Sequence, residues 1–172
     1  MNINLFDHIF ILGAKYLYLL ILGIAAIFFF KQPRDVQKKM AVYGLIALPI
    51  MYIGLKIAGY LYYDPRPFVV GHFIPLVPHI PDNGFPSDHT ILSAAVAMIV
   101  LPFSRRWASV LWVLTLGVAV SRVYVGIHHP TDIIASILIA VIVGWIIYAF
   151  ILEKVMSSAQ YKKLADHYYP DR

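Results

Sequence analysis

Cysteine is absent from the chain, which excludes disulfides and thiolate metal sites. Charge is scarce as well. Only 13% of the 172 residues are charged, where a soluble domain carries about a quarter, so a water-soluble globular fold is excluded. Internal repeats and low-complexity tracts are missing. The N-terminus, "MNINLFDHIF", lacks a basic region and a small-residue cleavage site, so no cleavable signal peptide is expected.

What is abundant is apolar sequence, 60% of the chain, and it comes in long runs. Residues 10–30, 40–60 and 131–152 are predicted to span a membrane, each run close to the ~20 residues that a bilayer core requires. Two shorter runs, 90–103 and 107–120, span only if their polar ends sit at headgroups or inside a protein-lined cavity. The expectation is a single all-α domain over residues 1–172, a polytopic transmembrane bundle of about five spanning helices with room for a sixth, short one.

Basic residues orient that bundle. Four lie in the expected loop 31–39, two in the loop 104–106, and four in the tail 153–172 (Lys154, Lys162, Lys163, Arg172). Five crossings place these ten on one side and leave Arg66 and Arg122 on the other, with Lys15 and Lys56 inside helices. By the positive-inside rule the ten are cytoplasmic, and the N-terminus is outside. No continuous basic stripe exists, which argues against nucleic acid as a partner. The outer loop 61–87 holds six of the eleven prolines and the turn sequence Asp82-Asn83-Gly84. Its apolar stretch "FVVGHFIPLVPHI" either lies in the headgroup layer as a lid or side opening, or packs on the bundle.

Three polar clusters then fall on the outer face. They are Lys56 with Arg66-Pro67, Ser87-Asp88-His89, and Arg122 with His128, His129 and Asp132. Each has a plain explanation on its own. A single arginine can snorkel, Ser87 can cap a helix, and Pro130 and Asp132 suit a first helical turn. Coincidence at one membrane depth is what anchoring and capping leave unexplained, and ionisable groups there mark a functional site. Two arginines and a lysine offer charge and paired donors to a phosphoryl group. A helix N-terminus adds N–H groups beside the Ser87 hydroxyl. A histidine oriented by a carboxylate can act as nucleophile and a second as acid. A metal fits poorly among the arginines, with only Asp88 and Asp132 acidic nearby.

Together these clusters resemble the signature of the type 2 phosphatidic acid phosphatase superfamily, which also includes bacterial acid phosphatases and vanadium haloperoxidases. The stretch Ser121-Arg122, His128, Asp132 matches its third part in full, and the spacing selects His128 over His129. Pro86-Ser87-Asp88-His89 matches the second part with aspartate in place of glycine. Arg66-Pro67 matches the first, but the family's lysine, separated from the arginine by six residues, would fall at Gly59, whereas Lys56 lies one helical turn back on nearly the same face. Asp88 would repel phosphate if turned inward, so within the phosphate-binding cluster it is expected to bond Arg66 or a helix-end N–H. The resemblance covers roughly residues 50–150, and the family core usually has six helices.

The resemblance implies roles. His128 attacks phosphorus to form a phosphohistidine while Asp132 holds its ring. His89 protonates the leaving oxygen and later takes a proton from water. Arg66, Arg122, Lys56 and the Ser87 hydroxyl hold the phosphoryl oxygens. No metal or cofactor is implied, and His72, His79 and His129 are assigned to structure or lid. The expected substrate is a membrane lipid phosphate at the outer face of a bacterial inner membrane. Undecaprenyl diphosphate comes first, with lipid A 1-phosphate and phosphatidylglycerophosphate as alternatives. A membrane anion transporter is the rival class; it requires inverted repeats and broken helices, and Pro49 is the single candidate break. A vanadate-dependent peroxidase is a further rival, but those relatives are soluble.

Overall fold

The computed structural model describes residues 3–158. Its elements, in order, are α1 (Leu5–Phe30), α2 (Arg34–Leu61), the one-turn α3 (Pro67–Val70), α4 (Asp88–Val100), α5 (Arg105–Tyr124) and α6 (Pro130–Ile146). A π-helical turn, Ile147–Ile151, then leads into α7 (Leu152–Ser157). Among the described residues there is no strand, only an isolated bridge between Pro65 and Asn83.

Four segments are long and apolar enough to cross a membrane: α1, α2, α5 and the continuous run Pro130–Ser157. Helix α4 has 13 residues, which at ~1.5 Å per residue is about 20 Å, short of a hydrocarbon core. It can be short because protein surrounds it. It packs against α1, α2, α5 and α6, and its small residues Ser93, Ala94, Ala95 and Ala97 are buried and admit those neighbours closely. Five apolar segments are therefore present, as the sequence indicates, and α3 is the short extra helix.

Element ends differ from expectation where charge masks a helix. The expected loop 31–39 shrinks to three residues, because Arg34, Lys38 and Lys39 already belong to α2. Arg105 and Arg106 likewise open α5, where Ser104 caps the helix by accepting from the Trp107 N–H at 3.4 Å. These cations extend the helices toward the headgroups instead of ending them. Of the basic tail, Lys154 is in α7, while Lys162, Lys163 and Arg172 lie outside the described residues. Helix α2 runs unbroken through Pro49.

Close helix contacts set the frame. The Tyr43 hydroxyl donates to the Gly144 carbonyl at 2.8 Å, joining α2 to α6 in the interior. Gly13 lets α1 seat on α5, since a Cβ there would lie on the Ser121 hydroxyl. The 62–87 connection packs on the bundle. Val77 is buried with Ala14, Val125 and Ile127, partly buried Phe68 and Leu76 join them, and the Leu76 N–H donates to the Val125 carbonyl at 3.1 Å. Gly126 adopts φ +80° beneath the Phe73 ring, a position where a side chain would be both strained and blocked. Val70, Ile74 and Ile80 remain exposed on the loop's outer side.

Candidate active site

One end of the bundle gathers the C-terminal ends of α2 and α5, the N-terminal ends of α4 and α6, and the 62–87 connection. There they enclose a cavity of about 350 Å³, lined by Lys56, Arg66, Asp88, His89, Arg122 and His128, with loop residues including His79 and Asp82. Arg34, Arg105 and Arg106 start helices at the opposite end. Thus six of the nine polar residues in the three clusters share one cavity, and both histidines of the proposed pair face it.

The centre is His128, 2% exposed. Its Nδ1 lies 3.1 Å from Asp132 Oδ2, and a buried carboxylate beside a ring nitrogen takes the N–H. Its Nε2 lies 3.2 Å from Arg122 Nη2 and 3.4 Å from Arg66 Nη1. Guanidinium nitrogens only donate, so Nε2 must present its lone pair. The tautomer follows from the neighbours: proton on Nδ1, free pair on Nε2. Burial pulls the His128 imidazole below its usual pKa; the Asp132 hydrogen bond opposes this and the two guanidiniums reinforce it. The ring is accordingly neutral at neutral pH, with its lone pair turned toward the two guanidiniums.

Asp132 sits behind His128 in the first turn of α6, fully buried. Its Oδ2 also accepts from the His129 backbone N–H at 2.8 Å, a helix-capping bond. Oδ1 has no partner among the described residues. The Ser136 hydroxyl, 2.7 Å from the Asp132 carbonyl and 3.0 Å from that of Ser87, ties α6 to the start of α4. Gly84 is pressed against this unit: a Cβ there would stand 3.2 Å from Asp132 Oδ2.

Both arginines are fixed from behind. Arg66, 6% exposed, donates from Nε to Asp82 at 2.6 Å and from Nη1 to the Ile127 carbonyl at 2.9 Å. Arg122, 5% exposed, donates from Nη1 to the Ala14 carbonyl of α1 at 3.1 Å, and its Nε has no partner among the described residues. Three cations and two carboxylates line the cavity. An anion would complete that balance, and guanidiniums so far from water gain most from one.

Some expectations need correction. Asp88 does not bond Arg66, which pairs with Asp82 instead. Asp88 is exposed at the cavity wall, and its side chain makes no hydrogen bond among the described residues. Ser87 is fully buried and lies behind the wall, its Oγ accepting from the Thr90 hydroxyl at 3.0 Å. Lys56 lines the cavity with its ammonium 5.1 Å from the centre of the Tyr52 ring. Position 59 cannot carry the lysine: a Cβ there would meet the Phe85 carbonyl at 2.8 Å, and the Gly59 carbonyl accepts from Asn83 Nδ2 at 2.8 Å. His129 Nε2 donates to the Pro65 carbonyl at 3.2 Å. His79 reaches the cavity from the loop, and burial lowers its pKa, with Arg66 reinforcing the effect.

The sequence did not reveal Asp82, Asn83 or Tyr18. Asn83 accepts from the N–H groups of Asp64 and Phe85 and donates to the Gly59 and Tyr62 carbonyls, fastening the loop to α2. Tyr18 of α1 meets the His89 ring edge-on at 4.6 Å. The Asp82-Asn83-Gly84 turn was visible as a turn, but nothing local tied it to the arginine.

The chain is 36% identical over 109 residues to the undecaprenyl-diphosphatase BcrC of Bacillus subtilis, a match covering 62% of this chain and 53% of that protein. It is 32% identical over 133 residues to the putative undecaprenyl-diphosphatase YbjG of Escherichia coli, covering 77% and 66%. The matches thus span about half to two thirds of those relatives' lengths. The fold is similar to that of LpxE from Aquifex aeolicus, with a TM-score of 0.63 at 22% identity over 84% of each chain. A profile of the PAP2 superfamily matches residues 15–156, and these apolar helices with this cavity at their ends belong to a multi-pass membrane protein of the PAP2 superfamily.

Proposed function

We propose that the chain is a lipid phosphatase that removes the terminal phosphate of a polyprenyl diphosphate, undecaprenyl diphosphate being the first choice, at the outer face of a bacterial inner membrane. The observation that carries this reading is the His128 lone pair held between two buried guanidiniums. His128 Nε2 attacks the terminal phosphorus in line, and the bond from phosphorus to the bridging oxygen breaks. The oxygen leaves with the lipid phosphate and takes a proton from His89. Asp132 stabilises the ring as it becomes positive, and Arg66 and Arg122 neutralise charge on the transferred oxygens. Water, deprotonated by His89, then attacks phosphorus, the P–N bond breaks, and phosphate departs.

A lipid rather than a soluble ester is supported by what adjoins the cavity. Between α2 and α4 runs an apolar groove of about 370 Å³ lined by Leu48, Met51, Tyr52, Leu55, Ile91, Leu92 and Ala95, with Asp88 at its end. Leu55 and Asp88 line both spaces. A hydrocarbon chain in this groove leaves the headgroup in the cavity, which at about 350 Å³ is at the small end of ligand sites. The names of the two relatives support the diphosphate. The site's placement opposite the basic helix ends supports an outward orientation. Lipid A 1-phosphate and phosphatidylglycerophosphate are the competing substrates.

The test is phosphate release from these three lipids in detergent, with EDTA present. Undecaprenyl diphosphate is expected to give the largest kcat/KM, undiminished by EDTA and inhibited by vanadate. Preference for another lipid overturns the substrate assignment, and loss of activity in EDTA overturns the metal-free reaction. The acid limb of kcat/KM offers a second check. Because the His128 pKa is lowered, protonation of Nε2 should remove activity only as pH falls below the ordinary histidine value of ~6.5. A limb assigned to His128 above that value would contradict its environment.

A further inference from the structure

Resting on the diphosphate reading above, we infer that Lys56 and Asp88 frame a second phosphoryl subsite, in which Lys56 binds the inner phosphoryl group, the one that stays with the lipid. Among the described residues, the cradle around His128 Nε2 is built by Arg66 and Arg122, and Lys56 makes no hydrogen bond with this cluster. Its ammonium instead lies over Tyr52, a residue of the apolar groove, while its side chain lines the cavity. Leu55 and Asp88, which border both spaces, stand beside it. Lys56 therefore occupies the threshold between the polar cavity and the groove.

Position 59, one turn nearer the helix end, is closed to any side chain by the Phe85 carbonyl. The cation on α2 consequently lies a turn deeper toward the membrane. A diphosphate with its outer phosphorus at His128 and its chain in the groove must place its inner phosphoryl at this threshold. That group carries one negative charge, and one ammonium meets it. Asp88 at the same threshold is unfavourable to an anion there, so the subsite depends on Lys56 for its sign. A monophosphate offers only its ester oxygen and first carbons at this point and gains little from the lysine.

The experiment compares wild type, Lys56→Met and Lys56→Arg in detergent with EDTA. Three ligands serve: a polyprenyl diphosphate, the monophosphate of the same chain, and inorganic phosphate as competitive inhibitor. In Lys56→Met, KM for the diphosphate is expected to rise about tenfold relative to the inhibition constant of inorganic phosphate, which fills only the cradle. The preference for diphosphate over monophosphate should fall in parallel, and Lys56→Arg should restore both. If the diphosphate KM and the phosphate inhibition constant rise together, or neither moves, the second subsite is wrong while the phosphatase reading stands. If wild type cleaves lipid phosphates but no diphosphate, the substrate reading fails and takes the subsite with it.

Discussion

Replacing His128 by alanine is expected to lower phosphate release by about 10⁴-fold or more, the scale seen when a nucleophile is removed from a group of residues acting as one unit. The size follows from the lack of a substitute. His129 points its Nε2 at the Pro65 carbonyl, and His79 lies on the loop near Asp82, 4.0 Å away. Neither stands between the two guanidiniums. Alanine also removes the acceptor shared by Arg66 and Arg122, leaving buried donors unpaired at a cost of about 1–3 kcal/mol each. His128→Gln, which can offer an oxygen to those donors, serves as the companion variant for stability. Rapid acid-free quenching with a substrate radiolabelled in its terminal phosphate should leave an acid-labile label on wild type and none on either variant. Turnover above a few per cent of wild type in both would remove His128 from the nucleophile role.

Asp132 should produce the second largest effect, and its two simplest substitutions should differ. Asp132→Ala frees Nδ1 and uncaps the first turn of α6, so the ring loses both its tautomer and its orientation. A loss of about 10⁴-fold is expected, the scale seen when the aspartate of a catalytic triad is removed. Asp132→Asn should be milder, about 10²-fold. The His129 N–H donates to Oδ2 at 2.8 Å and selects the amide oxygen for that place. The same oxygen then still faces Nδ1, and what disappears is the charge that stabilises the ring as it becomes cationic. The NH₂ group occupies the Oδ1 position, which has no partner among the described residues. Both variants are to be compared in kcat and in thermal stability. Equal losses would show that charge, and not tautomer, is what Asp132 supplies.

The candidate nucleophile, its carboxylate and the two arginines were legible in the sequence because polar residues at helix ends stand out in an apolar chain, and Arg122, His128 and Asp132 lie within eleven residues of one another. The spans were legible for the same reason, except where basic residues continue a helix, as Arg34–Lys39 do at the start of α2. What stayed hidden has no local pattern. The Ala14 and Ile127 carbonyls that hold the arginines are backbone atoms that any residue could supply. Asp82 and Asn83 read as an ordinary turn, and their value depends on where a 26-residue connection folds back. The position of Lys56 made sense only once the Phe85 carbonyl was seen to occupy the space beside Gly59. Ser87 is the opposite case: a hydroxyl at a helix start invites a ligand-binding role, while in the fold it is fully buried and accepts from the Thr90 hydroxyl.

Arg122 is anchored on the first helix and Arg66 follows the second, yet the imidazole they share and the carboxylate behind it come from the final third of the chain. During biosynthesis four hydrophobic segments are therefore made before the residues of the candidate site are complete. Enzymatic competence should switch on in one step with insertion of the last segment, and nascent chains arrested before Pro130 should be silent toward the lipids around them.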